Sequence, residues 1–402
     1  MSIYQAQVEP SSPRLSRRAS VFLLSMVAWT ALAAAFAFYR ESTYDYPAYL
    51  IQWDLILDGG DPWLGSLQAR NAYGPVHVLL APFVAVHPLL PKVLMLTVFL
   101  VVNMMLAWRV AIRSNSGWRV ILYLLFVPLN GCIIIWGLAY GSNDILVAGF
   151  VGLALLTRLD DRMVWTGVLL GLAVLLKLYP AVLVILFSID RRSISFRLLF
   201  SSAVTVVLGL FIPFLVWGGN SLNWLLFASE RGNSQLSLWN QIINEPWLSG
   251  LHGLAFFIID INTVLLALAF GLWLVVVWIR RIPWLPASIF GLFLVLFLYK
   301  VGHGQFWMTW LVLACGLLIA AGEANRRIAL AALPTALGTS FVALVYDGRR
   351  QLSLAWEPVQ QPVGWIFFLL QVLTLILVTV ILTKQKRSDD HPSAEDPAST
   401  SS

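Results

Sequence analysis

The sequence predicts an all-α polytopic membrane protein with about 10–13 transmembrane helices, and three observations carry that expectation. Its mean hydropathy is +0.81 and 59% of its residues are hydrophobic, values that a water-soluble globule does not reach. Only 11% of its residues are charged. Windows of 18 or more residues run almost without charge, among them Val21–Tyr39, Phe196–Trp217 and Pro362–Thr383, and each is long enough to cross a bilayer.

Taken in order, crossings are expected near 21–39, 92–112, 119–138, 144–158, 163–176, 178–189, 196–217, 252–280, 284–300, 304–321, 328–346 and 362–383. They form one transmembrane domain over 21–383, between an N-terminal tail at 1–20 and a polar, disordered tail at 384–402. The first apolar run has no small-residue cleavage motif and reads as a retained helix. Both tails are expected in the cytoplasm: that orientation puts 18 of the 26 lysines and arginines on the inner side, as the positive-inside rule asks. The arginines punctuate the apolar runs and form no patch, so the net charge of +6 sets topology and does not signal nucleic-acid binding. The pair 163–176 and 178–189, hinged at Lys177-Leu178-Tyr179-Pro180, is short enough to be re-entrant around a polar cavity. Cys132 and Cys315 lie far apart inside apolar segments and signal neither a disulfide nor a metal site.

Three outer loops are large, 40–91, 218–251 and 347–361. The stretch ESTYDYPAYLIQWDLILDGGDPW, Glu41 to Trp63, carries five of the chain's twenty acids. Pro47 suits the first turn of a helix, Thr43 or Asp45 suits its cap, and Gly59-Gly60-Asp61-Pro62 stops it. Tyr46, Tyr49, Leu50, Trp53, Ile56 and Leu57 share one side, with Gln52, Asp54 and Asp58 opposite, which describes an amphipathic helix on the outer surface. Asp45 is then either a helix cap or a carboxylate placed to deprotonate a hydroxyl. Asp54, Asp58 and Asp61 read as solvated or turn residues. The following NAYGPVHVLLAPFVAVHPLLPK is too broken by proline for a span and is expected along the interface. Glu230, Arg231 and Asn233 either bind acceptor or donor or, the stronger reading, form an ordinary hydrated loop, and His77, His87 and His252 show no ligand spacing.

The frame Asp45-Tyr46, then Gly59, then DPW, then AYGPVHVLLAP resembles the first outer loop of the GT-C superfamily glycosyltransferases. It is similar to the glycosylphosphatidylinositol mannosyltransferase I type and to the bacterial glycosyltransferase family 87. The first of these types opens the loop with Asp-x-Asp; here the first acid is Thr43, which puts any metal role of the pair in doubt. YGSNDILVAGF, GVLLGLAVLLKLYPAVLV and YKVGHGQFWMTW resemble further family motifs in the same order, so the likeness spans about residues 40–310.

The resemblance implies an inverting, polyprenyl-phosphate-sugar-dependent glycosyltransferase, a mannosyltransferase by the first likeness, with Asp45 as general base. It implies Lys177, Tyr179, Lys300, His303 and Gln305 around the donor's phosphate and sugar, and Tyr73 of the AYGP segment with them. Asn143 and Asp144 either touch sugar hydroxyls or cap a helix. The lysines are costly near a membrane and need a counter-charge, which a lipid phosphate offers; the alternative is snorkelling to the headgroups. The implied partners are membrane lipid, the lipid-linked donor and a lipid or glycan acceptor. No cofactor is implied beyond the donor, and divalent-metal dependence stays open. The family 87 likeness and the lack of an Asn-x-Ser/Thr sequon favour a bacterial cytoplasmic membrane over the endoplasmic reticulum. The rival is a transporter or flippase of lipid-linked sugars, which predicts repeats and midplane polar groups, with Asp260 as candidate. A non-catalytic scaffold is a second rival, left open by Thr43.

Overall fold

The computed structural model describes residues 16–389 except 41, 43–44, 65–70, 114–116, 231–233, 235 and 321. Thr43, Arg231 and Asn233, as well as the tails at 1–15 and 390–402, lie outside the described residues, as does the side chain of Glu230. The architecture is all-α; the one β pairing among the described residues joins Ile189–Asp190 to Ser193–Ile194.

Helix α1 (Arg17–Tyr39) starts on Ser16, whose side chain accepts a hydrogen bond from the Ala19 amide. Helix α2 (Asp45–Leu57) runs to the stop at Gly59, where φ is +81°. Its buried face is Tyr46, Tyr49, Gln52 and Trp53, while Leu57 is exposed. That corrects the expected division of the helix, which put Gln52 on the solvent side and Leu57 on the apolar one. The reason is tertiary. Short helices α3 (Pro75–Val78) and α4 (Ala81–Val84) fold beneath α2, and His77 stacks on Trp53 with ring centroids 4.8 Å apart.

Helix α5 (Leu90–Arg113) is a full span, but the expected crossing 119–138 is broken. Helix α6 (Gly117–Phe126) stops before Pro128, which has no N–H to continue the ladder. Asn130 then bridges the gap, donating to Leu125 and Ala336 carbonyls and accepting from the Cys132 amide. A π-helix, Cys132–Ala139, follows, and the chain bends by 115° into α7 (Asp144–Leu159). Helices α8 (Met163–Val174) and α9 (Ala181–Ser188) flank the expected hinge.

Beyond α10 (Phe196–Trp217), α11 (Asn223–Glu230) and α12 (Leu238–Ile243), the expected crossing 252–280 divides at Ile261 into α13 (Ser249–Asp260) and α14 (Asn262–Arg280). Asn262 holds the break: its amide donates to the Leu298 carbonyl and accepts from the Lys300 amide. Asp260 lies exposed at this break. Helices α15 (Trp284–Leu298), α16 (Trp307–Ala314), α17 (Gly316–Ile319), α18 (Glu323–Gln351) and α19 (Glu357–Asp389) complete the bundle, α19 running on into the segment expected as a tail. Among the described residues six helices are long and apolar enough to cross a membrane, seven if the bent pair is one span; the other expected crossings are shorter apolar helices. The all-α polytopic class stands. The chain is an integral membrane protein.

Helix α7 is the centre, sheathed by α5, α8 and α16, with Ile145, Val147, Val151 and Leu155 sealed in the core. Helices α8 and α10 approach closely because Gly167 and Gly171 face Ser201, Ser202 and Thr205; a Cβ on Gly167 would lie 2.0 Å from the Ser201 Oγ. Helices α10, α13 and α14 instead expose Phe200, Phe211, Phe257, Leu268 and Leu272, a surface that lipid covers. The helix ends sort the polar groups to two poles. One gathers Arg109 with Asp160 at 2.6 Å, and Asp190 beside Trp284, around a cavity of about 520 Å³. The other gathers the loops described next.

Candidate active site

Four junctions meet at that second pole: the start of α2, the turn from the π-helix into α7, the hinge between α8 and α9, and the link from α15 to α16. The hinge is held from outside. The amides of Gly74 and Val76 donate to the carbonyls of Leu176 and Leu175, two of the acceptors a helix end leaves open. Only glycine allows that approach, since a Cβ on Gly74 would stand 2.2 Å from the Leu175 carbonyl oxygen. Tyr73 and His77 are thereby set beside Lys177.

Lys177 and Asp144 form a buried ion pair, Nζ to Oδ2 2.6 Å, with side chains 9% and 0% exposed. The same carboxylate accepts from the Ser142 hydroxyl at 3.0 Å and from the Tyr179 hydroxyl at 3.3 Å. Tyr179 also bonds Thr309 at 2.7 Å. The ammonium lies 5.1 Å from the Tyr73 ring centroid and 4.8 Å from that of Phe306. Such a pair repays its desolvation only with good geometry and extra hydrogen bonds, and this one has both.

Asp45, first residue of α2 and half-buried, accepts a hydrogen bond of 2.9 Å from the Gln305 amide. Because Gln305 and Phe306 are neighbours, one dipeptide touches Asp45 with one side chain and packs on Lys177 with the next. Tyr49 closes the site from below. Its hydroxyl accepts from the Asn143 amide at 3.3 Å, and its ring meets Tyr73 edge-on at 5.1 Å and His77 at 4.8 Å. Burial pushes the Tyr49 hydroxyl well above its ordinary pKa, and nearby Asp45, Tyr73 and Asp144 push it further, so it stays a neutral donor.

Two polar side chains in this wall are fully buried with unused hydrogen-bonding atoms: both ring nitrogens of His77 and both amide atoms of Asn143. Burial, with the Lys177 charge behind it, pulls His77 down to about 3, so its ring is neutral.

Of the residues singled out in the sequence, Asp45, Tyr73, Asn143, Asp144, Lys177, Tyr179 and Gln305 come together. Asn143 stands at the N-cap of α7 but makes no side-chain cap bond. Asp144 supplies a counter-charge for Lys177 from within the protein, and the lysine side chain is buried. His303 packs on Phe306 at 5.5 Å, and Lys300 is mostly buried, its backbone bonded to Asn262 and Ser234. Sequence reasoning missed Tyr49, Ser142, Thr309 and His77. Tyr49 carries a signal, its place on the apolar stripe of α2; a lone histidine carries none. Among the described residues no three His, Cys, Asp or Glu side chains converge as a metal site.

Residues 71–299, more than half of the chain, match the family model of glycosyltransferase family 87. The chain belongs to glycosyltransferase family 87. No curated protein matches it. As a family 87 member it is a membrane glycosyltransferase. The match includes Tyr73, Asn143, Asp144, Lys177 and Tyr179, whereas Asp45, Lys300, His303 and Gln305 fall outside it. The likeness to the glycosylphosphatidylinositol mannosyltransferase I type rests on the quoted motifs alone.

Proposed function

We propose that this family 87 chain is an inverting mannosyltransferase that uses polyprenyl-phosphate mannose as donor and a lipid or glycan hydroxyl as acceptor. Asp45 takes the acceptor hydroxyl's proton as its oxygen bonds the anomeric carbon. The bond from that carbon to the phosphate oxygen breaks, and the electron pair leaves with polyprenyl phosphate. Lys177 or Lys300 faces the donor's phosphate, where negative charge develops and fixed cations act most strongly, and His303 lies by the donor's phosphate or sugar. Tyr73, Asn143, Tyr179 and Gln305 orient the sugar, and Asp144 aims Lys177. The reaction runs at the outer face of a bacterial cytoplasmic membrane, with both termini inside.

The observation that carries this reading is the Gln305-Phe306 dipeptide, which spans from the Asp45 carboxylate to the Lys177 ammonium. A base and a cation on the two sides of one short segment suit an acceptor oxygen and a departing phosphate on the two sides of one sugar. The test is a donor survey on purified protein in lipid bilayers, with radiolabelled polyprenyl-phosphate mannose, glucose and arabinose offered singly with a membrane-lipid extract. Transfer from the mannosyl donor is expected; transfer only from another donor overturns the sugar assignment.

A further inference from the structure

Lys92, near the start of α5, is 1% exposed. Its Nζ donates to the Ala37 carbonyl at 2.7 Å, the Ser42 hydroxyl at 2.8 Å and the Ala139 carbonyl at 2.9 Å. Three protons meet three acceptors, and among the described residues no carboxylate pairs with the group. A buried ammonium is costly to desolvate, and an apolar side chain of the same length would avoid that cost. What the ammonium gains is reach. Ala37 lies in the last turn of α1, Ser42 lies three positions before Asp45, and Ala139 ends the π-helix five positions before Asp144.

The surroundings tighten the same junction. The Lys92 amide donates to the Tyr46 hydroxyl at 3.1 Å, and that hydroxyl donates to the Pro88 carbonyl at 2.6 Å. Gly141, at φ +70°, packs so closely that a Cβ there would stand 3.2 Å from both the Lys92 Cδ and the Tyr46 ring. Tyr46 is the residue after Asp45, and Gly141 opens the turn to Asn143 and Asp144. Lys92 therefore joins, through one side chain, the segment that carries the Asp45 carboxylate and the segment that carries the Asp144–Lys177 pair.

We propose that Lys92 is a positioning residue for transfer: its ammonium sets the start of α2 against the turn at Tyr140–Asp144, and so sets Asp45 against Lys177. The kinetic part rests on Asp45 acting as base; the structural part does not. Lys92→Met keeps the length and apolar stem and removes all three hydrogen bonds. Ser42→Ala removes one of them and serves if the first variant fails to fold.

The experiment pairs backbone hydrogen exchange with transfer kinetics on the purified full chain in lipid, using polyprenyl-phosphate mannose and a membrane-lipid extract. Lys92→Met is expected to speed exchange in 45–50 and 139–144 while leaving α15 and α18 unchanged. It is expected to lower kcat on the order of 10- to 100-fold, as a misplaced reacting group does, with donor KM within about twofold. Ser42→Ala moves the same readouts in the same direction by less. In an Asp45→Asn background Lys92→Met is expected to cost little further. Unchanged exchange at both segments overturns the tie, and faster exchange with unchanged kcat overturns its role in transfer. A fully active Asp45→Asn points instead to failure of the base assignment, leaving the exchange result to judge Lys92 by itself.

Discussion

Gln305 donates a 2.9 Å hydrogen bond to Asp45 from 260 positions away in the sequence. The bond fixes the direction of the carboxylate. Replacing Asp45 by Asn keeps the shape and removes the proposed base, so kcat is expected to fall on the order of 10²- to 10⁴-fold. Gln305→Leu, which keeps the volume and removes the donor, is expected to cost about tenfold. Steady-state transfer assays on both variants, with thermal melts to confirm folding, check this order; a more severe Gln305→Leu would reverse it.

The Asp144–Lys177 pair makes a prediction about stability that is separable from activity. Lys177→Met leaves Asp144 buried without its cation and is expected to destabilise by about 3–5 kcal/mol. Asp144→Asn with Lys177→Met removes both charges and is expected to regain most of that loss, while transfer stays abolished. Melting temperatures in one detergent, with donor turnover measured in parallel, distinguish recovered folding from recovered function.

His77 supplies the pH dependence. Its folded-state pKa, about 3, lies below the ordinary histidine value near 6.5, so the folded state holds the ring neutral while the unfolded chain takes up a proton first. Its contribution to stability is complete above 6.5 and declines as pH falls toward 3, by about 1.4 kcal/mol per pH unit. His77→Phe is expected to flatten that part of the stability profile. Denaturation followed from pH 7 to 4 checks the slope, and an equally steep profile in the variant would refute the assignment.

Gly74→Ala is expected to damage the site without touching any polar group in it. The added methyl would meet the Leu175 carbonyl oxygen at 2.2 Å, and a backbone atom cannot swing aside. The Tyr73–His77 segment must therefore retreat from the hinge, at a cost of about 1–3 kcal/mol and with donor KM raised. Donor titrations monitored by tryptophan fluorescence would detect the weaker binding.

The class of the fold and the order of the site segments were legible in the sequence because both rest on local signals. Apolar runs announce helices, Gly59 through Pro62 announces the end of α2, and Lys177 through Pro180 announces a hinge. The failures share one cause: an apolar helix face looks the same whether it meets lipid or protein. Gln52 was placed in solvent because helical periodicity does not know that α3 and α4 fold under α2. The break at Ile261 depends on Asn262 bonding Leu298, and that partner is 36 positions away. His77 and Lys92 are silent in the same way, since only the tertiary structure shows what encloses them.

The sorting of polar groups to two poles has a practical meaning for any preparation of this enzyme. With the Asp45–Gln305 contact and the Asp144–Lys177 pair at the same pole, the proposed reaction would belong to one leaflet's lipids and to one aqueous compartment. Vesicles that receive the protein in both directions would hold a latent half, closed to water-soluble acceptors added outside and released when the vesicles are opened. Measured turnover is then a property of orientation as much as of chemistry.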